Sequence, residues 1–259
     1  MKRTKIKVVI LGPAWATMAI LKTTMKLCAD LGYEVSVVPY RGHYGDTRSL
    51  EDVTLGDFEE DTLKHIESIT QDGEKVILLG ISMGSAIAHR IAEKYPNEVR
   101  GVVMYGSPMF SRLPVWKTLL RIFLNWTFLK GIVTGKGTLS LSRRDAEDFL
   151  FEGTSGSEGL EETLEQPASA RAMQQMLLRI LTPNKKATIP YVVLTCIREM
   201  FHHNTAAFRF AKMQGSKGGC VGRFGEVEGG HFSALFKKDY LRVLKEALTH
   251  IVTNEPTSD

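Results

Sequence analysis

Gly80-Ile81-Ser82-Met83-Gly84 is the stretch whose reading decides the fold of this 259-residue chain. Val76-Ile77-Leu78-Leu79 precedes it, an apolar run with β-branched residues that reads as a buried strand. Ser85 to Lys94 follows it and reads as a helix. A Gly-x-Ser-x-Gly turn between a strand and a helix is a nucleophile elbow. In so tight a turn a side chain at either glycine is expected to clash, and the serine backbone is expected to be strained. The turn projects Ser82 Oγ away from the sheet. It also sets the Met83 N–H at a helix N-terminus, where it can donate to a developing oxyanion.

Outward from the elbow, short apolar runs alternate with helical periodicity. Strands are expected at residues 7–11, 35–38, 76–81, 101–105, 190–195 and 221–227. Helices are expected at 17–31, 54–70, 85–94, 204–213 and 239–252. Acidic residues in the first half of the second helix (Asp57, Glu59, Glu60, Asp61) complement its dipole. This alternation predicts an α/β fold, a mostly parallel central sheet with helices on both faces. The rhythm breaks between residues 107 and 187, where no convincing strand is legible and two helices are expected, at 143–151 and 169–181. That segment reads as a helical cap inserted into a core domain formed by residues 1–106 and 188–259. The cluster Trp116, Leu119, Leu120, Phe123, Leu124, Trp126 and Phe128 reads as the face that packs the cap on the core, with acyl-chain or membrane contact as the alternative.

Serine needs a base. Of seven histidines, His231 follows the last expected strand in Glu228-Gly229-Gly230-His231-Phe232. It therefore reaches the same sheet edge as the elbow, the edge where open α/β sheets bind ligands. His43 reads as a loop-holding residue. His202 and His203 lack a cysteine or second carboxylate at ligand spacing, so no metal site is expected.

The elbow, the Gly-Gly-His-Phe segment and Arg41-Gly42-His43-Tyr44-Gly45-Asp46 occur together in an order that resembles the α/β-hydrolase superfamily. The resemblance spans nearly the whole chain except the cap. It implies an acylated serine (Ser82), a histidine base (His231) and an acidic residue that orients the base, in the chain order Ser, acid, His. The superfamily's usual acid position follows the strand before the last, and here Glu199 stands there. The alternative is a solvated Glu199 paired with Arg198. The superfamily's second acid position, after the fourth strand, reads Gly106-Ser107-Pro108 and holds no carboxylate. The oxyanion loop departs from the pattern. Leu11-Gly12-Pro13-Ala14-Trp15 lacks the usual histidine, and Pro13 has no N–H, so Gly12 or Ala14 is expected to assist Met83. Trp15 and Phe232, each beside one of these positions, are the substrate-contact candidates.

The resemblance thus implies a serine hydrolase of the carboxylesterase or lipase type, acting on a small-molecule ester or related acyl bond without a cofactor. The other class is a ligand-binding protein on the same scaffold with little or no turnover, motivated by the altered oxyanion loop.

Composition narrows the remaining classes. The formal charge of +4, with no basic run interleaved with aromatics, argues against nucleic acid. No stretch is apolar over the length a membrane span requires. Three widely spaced cysteines, Cys28, Cys196 and Cys220, read as free thiols. The basic start followed by Val8-Val9-Ile10-Leu11 imitates a signal peptide, but those residues are needed as the first strand. A cytoplasmic location is therefore expected. Oligomeric state is not legible in the sequence.

Overall fold

The computed structural model describes residues 5–44, 46, 49–71, 73–110, 124–151, 159–178, 189–199, 201–216 and 222–254. Trp116, Leu119, Leu120, Phe123 and Cys220, which the sequence singles out, lie outside them.

The all-apolar run of β3 (Val76–Ile81) is buried at every position. Such a strand needs a neighbour on each side and a helix layer on each face. It pairs in parallel with β1 (Lys7–Leu11) and with β4 (Val99–Tyr105). β2 (Glu34–Val37) closes one edge against β1. On the other side β4 pairs with β7 (Tyr191–Cys196), and β7 with β8 (Gly222–Val227). The order is β2-β1-β3-β4-β7-β8, parallel throughout. Partly exposed β2 and polar β8 form the edges, where fewer partners reward apolar side chains.

Helices follow from right-handed crossovers. The chain leaves β1 toward β2 in one direction and moves from β2 to β3 and from β3 to β4 in the other. This puts α1 (Met18–Asp30) on one face, joined there by the C-terminal helix, Lys238–Thr253. α2 (Leu55–Ile69) and α3 (Met83–Lys94) take the opposite face. Thr54 caps α2 reciprocally with Asp57, so the helix starts one residue later than its periodicity suggests.

Between β4 and β7 lie α4 (Trp126–Thr134), α5 (Arg143–Leu150), α6 (Leu160–Glu165) and α7 (Ala170–Leu178). They are accompanied by two short strands, β5 (Thr138–Leu139) and β6 (Ala168–Ser169), paired antiparallel. The expectation of no strand here is corrected. Two residues per strand leave no apolar alternation to read, and the pairing partners are about 30 residues apart in sequence. The packing role read for the aromatic cluster also divides. Phe128 stacks on Trp15, with ring centroids 6.1 Å apart, but Leu124 and Trp126 are 76% and 73% exposed. At about 100° per residue Phe128 and Gly131 face the protein while Trp126 and Val133 face away. α8 (Asn204–Ser216) joins β7 to β8, and α9 is the Lys238–Thr253 helix.

Candidate active site

The strand order reverses between β1 and β3, and open α/β sheets bind ligands at the carboxyl ends beside such a reversal. The elbow sits there, at the end of β3. Ser82 has φ 54° and ψ −115°, a conformation that costs a non-glycine residue about 1–3 kcal/mol. The surroundings hold it there. Ser82 N–H donates to the Tyr105 carbonyl at 2.7 Å, and Ser85 Oγ lies 2.7 and 2.9 Å from the Gly80 and Tyr105 carbonyls, to which its hydroxyl donates. Both flanking glycines are sterically required. A Cβ on Gly80 would lie 2.5 Å from the Gly84 carbonyl oxygen, and one on Gly84 would overlap the Leu11 carbonyl.

The loop after β1 lies beside the elbow. Ala14 and Trp15 line a small pocket with Ser82, Leu150, Met173, Met176, Phe201 and Phe232. Gly12 is closely packed. A Cβ there would run into the Tyr44 hydroxyl, so the glycine admits the loop that follows β2. Trp15 holds φ 56° and donates its indole N–H to the Leu139 carbonyl at 2.8 Å, tying this loop to the paired strands β5 and β6.

His231 is fully buried. Glu199 Oε2 and Oε1 lie 2.9 and 3.0 Å from its Nδ1. The pair is fixed from behind. Tyr105 donates its hydroxyl to the His231 carbonyl at 2.9 Å, so the same residue that accepts from Ser82 N–H also anchors the histidine loop. Gly106, at φ 59°, leaves the space the pair occupies, since a Cβ there would be 2.9 Å from His231 Cε1 and 3.2 Å from Glu199 Oε2. Phe201 packs edge-on against the His231 ring at 4.8 Å. The opposite ring nitrogen, Nε2, is buried and has no hydrogen-bond partner among the described residues. The Ser82–His231 hydrogen bond is therefore not made in this structure.

Burial alone would push the Glu199 carboxyl up. The adjoining histidines and hydrogen bonds from His231 and the Phe201 N–H outweigh it, and hold Glu199 down to about 2. Cys196 Sγ donates to Oε2 at 3.2 Å, and His202 Nε2 lies 3.8 Å from the same oxygen. Burial pushes the pKa of His202 below its ordinary value, and His231, at 2.9 Å against 3.8 Å, is the closer partner of the carboxylate. Burial also pushes up both described thiols, Cys28 to about 12, and neither is in a disulfide.

Loop anchoring explains residues whose role was not legible. Arg41 reaches Asp61 at 2.6 Å, Asp57 at 2.9 Å and Glu60 at 3.2 Å. The acids at the start of α2 are therefore a socket for Arg41 as well as dipole partners. Glu59 instead pairs with Arg90 and with Lys94 at 2.6 Å. His43 is buried against Tyr40, Tyr44 and Phe58.

Burial makes His43, His65 and His202 bind protons more weakly in the folded chain than at the ordinary value of 6.5. The unfolded chain then takes up more protons as pH drops below about 6.5, so stability falls with pH in that range. Glu199, depressed from 4.5 to about 2, adds a second loss between those values. The midpoint of thermal unfolding is expected to decline steadily from about pH 7 to about pH 5 and faster below. A flat midpoint from about pH 8 to about pH 5 would contradict the burial of these rings.

Among the described residues no helix is long and apolar enough to cross a membrane. A family model described as serine aminopeptidase, S33, matches residues 4–222. No curated protein matches the chain by sequence. Solved structures do match. An extracellular α/β-hydrolase from a Paenibacillus species, described as sharing structural and functional homology with tobacco salicylic acid binding protein 2, aligns with TM-score 0.67 at 17% identity, over 93% of this chain and 98% of the other. A methylesterase from Arabidopsis aligns with TM-score 0.67 at 16% identity, over 96% and 99% of the two chains. A variant of tomato methylketone synthase I complexed with β-ketoheptanoate aligns with TM-score 0.70 at 13% identity, over 98% and 100%. At such identities the likeness is one of fold.

Proposed function

From the premise that this chain belongs to the α/β-hydrolase family described as serine aminopeptidase, S33, we propose that it cleaves a carboxylic ester or related acyl bond through an acyl-serine intermediate. The observation that carries the reading is the buried Glu199–His231 pair, held by Tyr105 beside a strained serine elbow. A buried carboxylate on Nδ1 keeps the proton there and leaves Nε2 as the basic lone pair.

Ser82 Oγ attacks the acyl carbon while His231 Nε2 takes its proton. Glu199 stabilises the imidazolium that forms. The oxyanion is met by the Met83 N–H at the start of α3 and by the Ala14 N–H. Ala14 is preferred over Gly12 because Ala14 lines the pocket with Ser82, whereas Gly12 is packed under Tyr44. The intermediate collapses, His231 returns the proton to the leaving group, and the acyl group stays on Ser82. Water, deprotonated by His231, then releases the acid and regenerates the serine.

The pocket wall beyond Ser82 is apolar, which supports an apolar acyl or alkyl group and the substrate-contact roles of Trp15 and Phe232. We also assign the insertion between β4 and β7 the role of a cap, because Met173 and Met176 of α7 and Leu150 of α5 form part of that wall. The cavity is only about 10 Å³, so substrate enters when flexible side chains give way. Met176→Ala is expected to shift preference among nitrophenyl esters toward longer chains, raising kcat/KM for an octanoate relative to an acetate about tenfold. An unchanged ratio would remove Met176 from the acyl site.

The unpartnered Nε2 and Pro13 in the oxyanion loop favour a second reading, a binding protein on this scaffold. A fluorophosphonate probe decides between them. Covalent labelling mapped to Ser82 supports the hydrolase; an unlabelled, folded protein supports the binder.

A further inference from the structure

α4 is apolar on two sides, but only one of them is covered. Phe128 stacks on Trp15, and Gly131 meets Leu139 and Ala170. Trp126 and Val133, about two turns apart, lie on the opposite face and are 73% and 67% exposed. Lys130, one turn from Trp126, shares that face and is exposed; Leu124, just before the helix, is 76% exposed. A helix that is hydrophobic all round is normally buried all round. Large apolar side chains grouped on a surface mark a contact that the isolated chain does not supply.

The charge of the sequence that carries this helix indicates what the face meets. Residues 101–142 contain five Lys or Arg and no Asp or Glu, a formal +5. The whole chain sums to +4, so the remaining residues sum to −1. Among the described residues, neither Lys130 nor Lys136 has a carboxylate partner. An exposed tryptophan with a short apolar side chain and lysines, in a segment free of acids, has the make-up of an interfacial helix on an anionic bilayer. A tryptophan ring inserts at headgroup depth, and lysine stems lie along the apolar boundary with their charges on the lipid phosphates. A second copy of this chain would bring the same cations face to face, and like charges oppose such a contact.

We propose that the outer face of α4 docks this protein on an anionic phospholipid surface. The site is peripheral, and it is distinct from catalysis because Trp126, Lys130 and Val133 do not line the Ser82 pocket. The docked face lies on the other side of the helix whose Phe128 packs on pocket residue Trp15.

The test is co-sedimentation with vesicles of phosphatidylcholine alone and of phosphatidylcholine with about 30% phosphatidylserine. Wild type and Ser82→Ala are both expected to bind the anionic vesicles and not the neutral ones, less tightly as salt rises. This arm stands whether or not Ser82 is a nucleophile. Trp126→Asp/Val133→Asp and, separately, Lys130→Glu/Lys136→Glu are expected to weaken binding about tenfold or more, with the thermal midpoint unchanged. The proposal is overturned if wild type ignores anionic vesicles, or if the Trp126→Asp/Val133→Asp protein binds them as well as wild type. It is equally overturned if wild type is a dimer in solution that this double variant converts to monomer, which would give the face to a second copy.

Discussion

Ser82→Ala is expected to lower kcat for a soluble nitrophenyl ester by about 10⁵–10⁶-fold, to the level left by oxyanion donors and binding alone. The loss is of chemistry and not of fold. Alanine keeps a Cβ at φ 54°, so the strain of the elbow persists, and the backbone hydrogen bond from residue 82 to the Tyr105 carbonyl is unaffected. Ser82→Gly separates the two quantities further. It is expected to be as inactive as the alanine variant but more stable by about 1 kcal/mol, because glycine occupies positive φ without penalty. Residues that act as a unit lose function only once, so Ser82→Ala/His231→Ala is expected to be no slower than Ser82→Ala. If Ser82→Ala hydrolyses the ester at the wild-type rate, the acyl-serine mechanism is wrong.

Glu199→Gln keeps the shape of the acid and removes its charge, and is expected to cost about 10⁴-fold in kcat. Two effects combine. The imidazolium formed at His231 loses its buried counter-ion, and a glutamine NH₂ can donate to Nδ1, which moves the ring proton to Nε2. In that tautomer Nε2 cannot accept from Ser82. Cys196 Sγ and the Phe201 N–H both donate to the present carboxylate, so the glutamine is also held in a site built for an acceptor. Fluorophosphonate labelling should slow in parallel, since it needs the same base. A loss of less than about tenfold would show that His231 does not depend on Glu199, and would return this residue to a structural role.

Much of this site was legible because it is local. The elbow is five consecutive residues, and the reason for each glycine, a side chain that would strike the Leu11 carbonyl or the first turn of α3, follows from the tightness of a strand-to-helix turn. The strand periodicity of β1, β3, β4 and β7 was equally readable, because strands buried on both faces are apolar at nearly every position. Glu199 was placed only through the superfamily resemblance, as the carboxylate in the loop after the strand before the last. What the sequence left open between a solvated Glu199 paired with Arg198 and one facing His231 is answered by geometry, since Glu199 is almost fully enclosed and both its oxygens lie within 3.0 Å of His231 Nδ1. Arg41 and the acids of α2 are up to 20 residues apart in sequence, and no local pattern marks them as one cluster.

The amino-acid order by itself determined that a serine would be held in a strained turn at a strand end, and that a histidine and a carboxylate would follow later strands ending at the same edge. These are consequences of backbone sterics and of the periodicity of burial, which act over a few residues. Tertiary structure decided that the histidine and the carboxylate meet. β8 stands three places from β3, about 14 Å across the sheet. Yet the loop after β8 folds back until the Tyr105 hydroxyl of β4 fixes the His231 carbonyl. It also decided which side of α4 is covered, because which apolar face of a helix finds a partner depends on the crossing of remote elements.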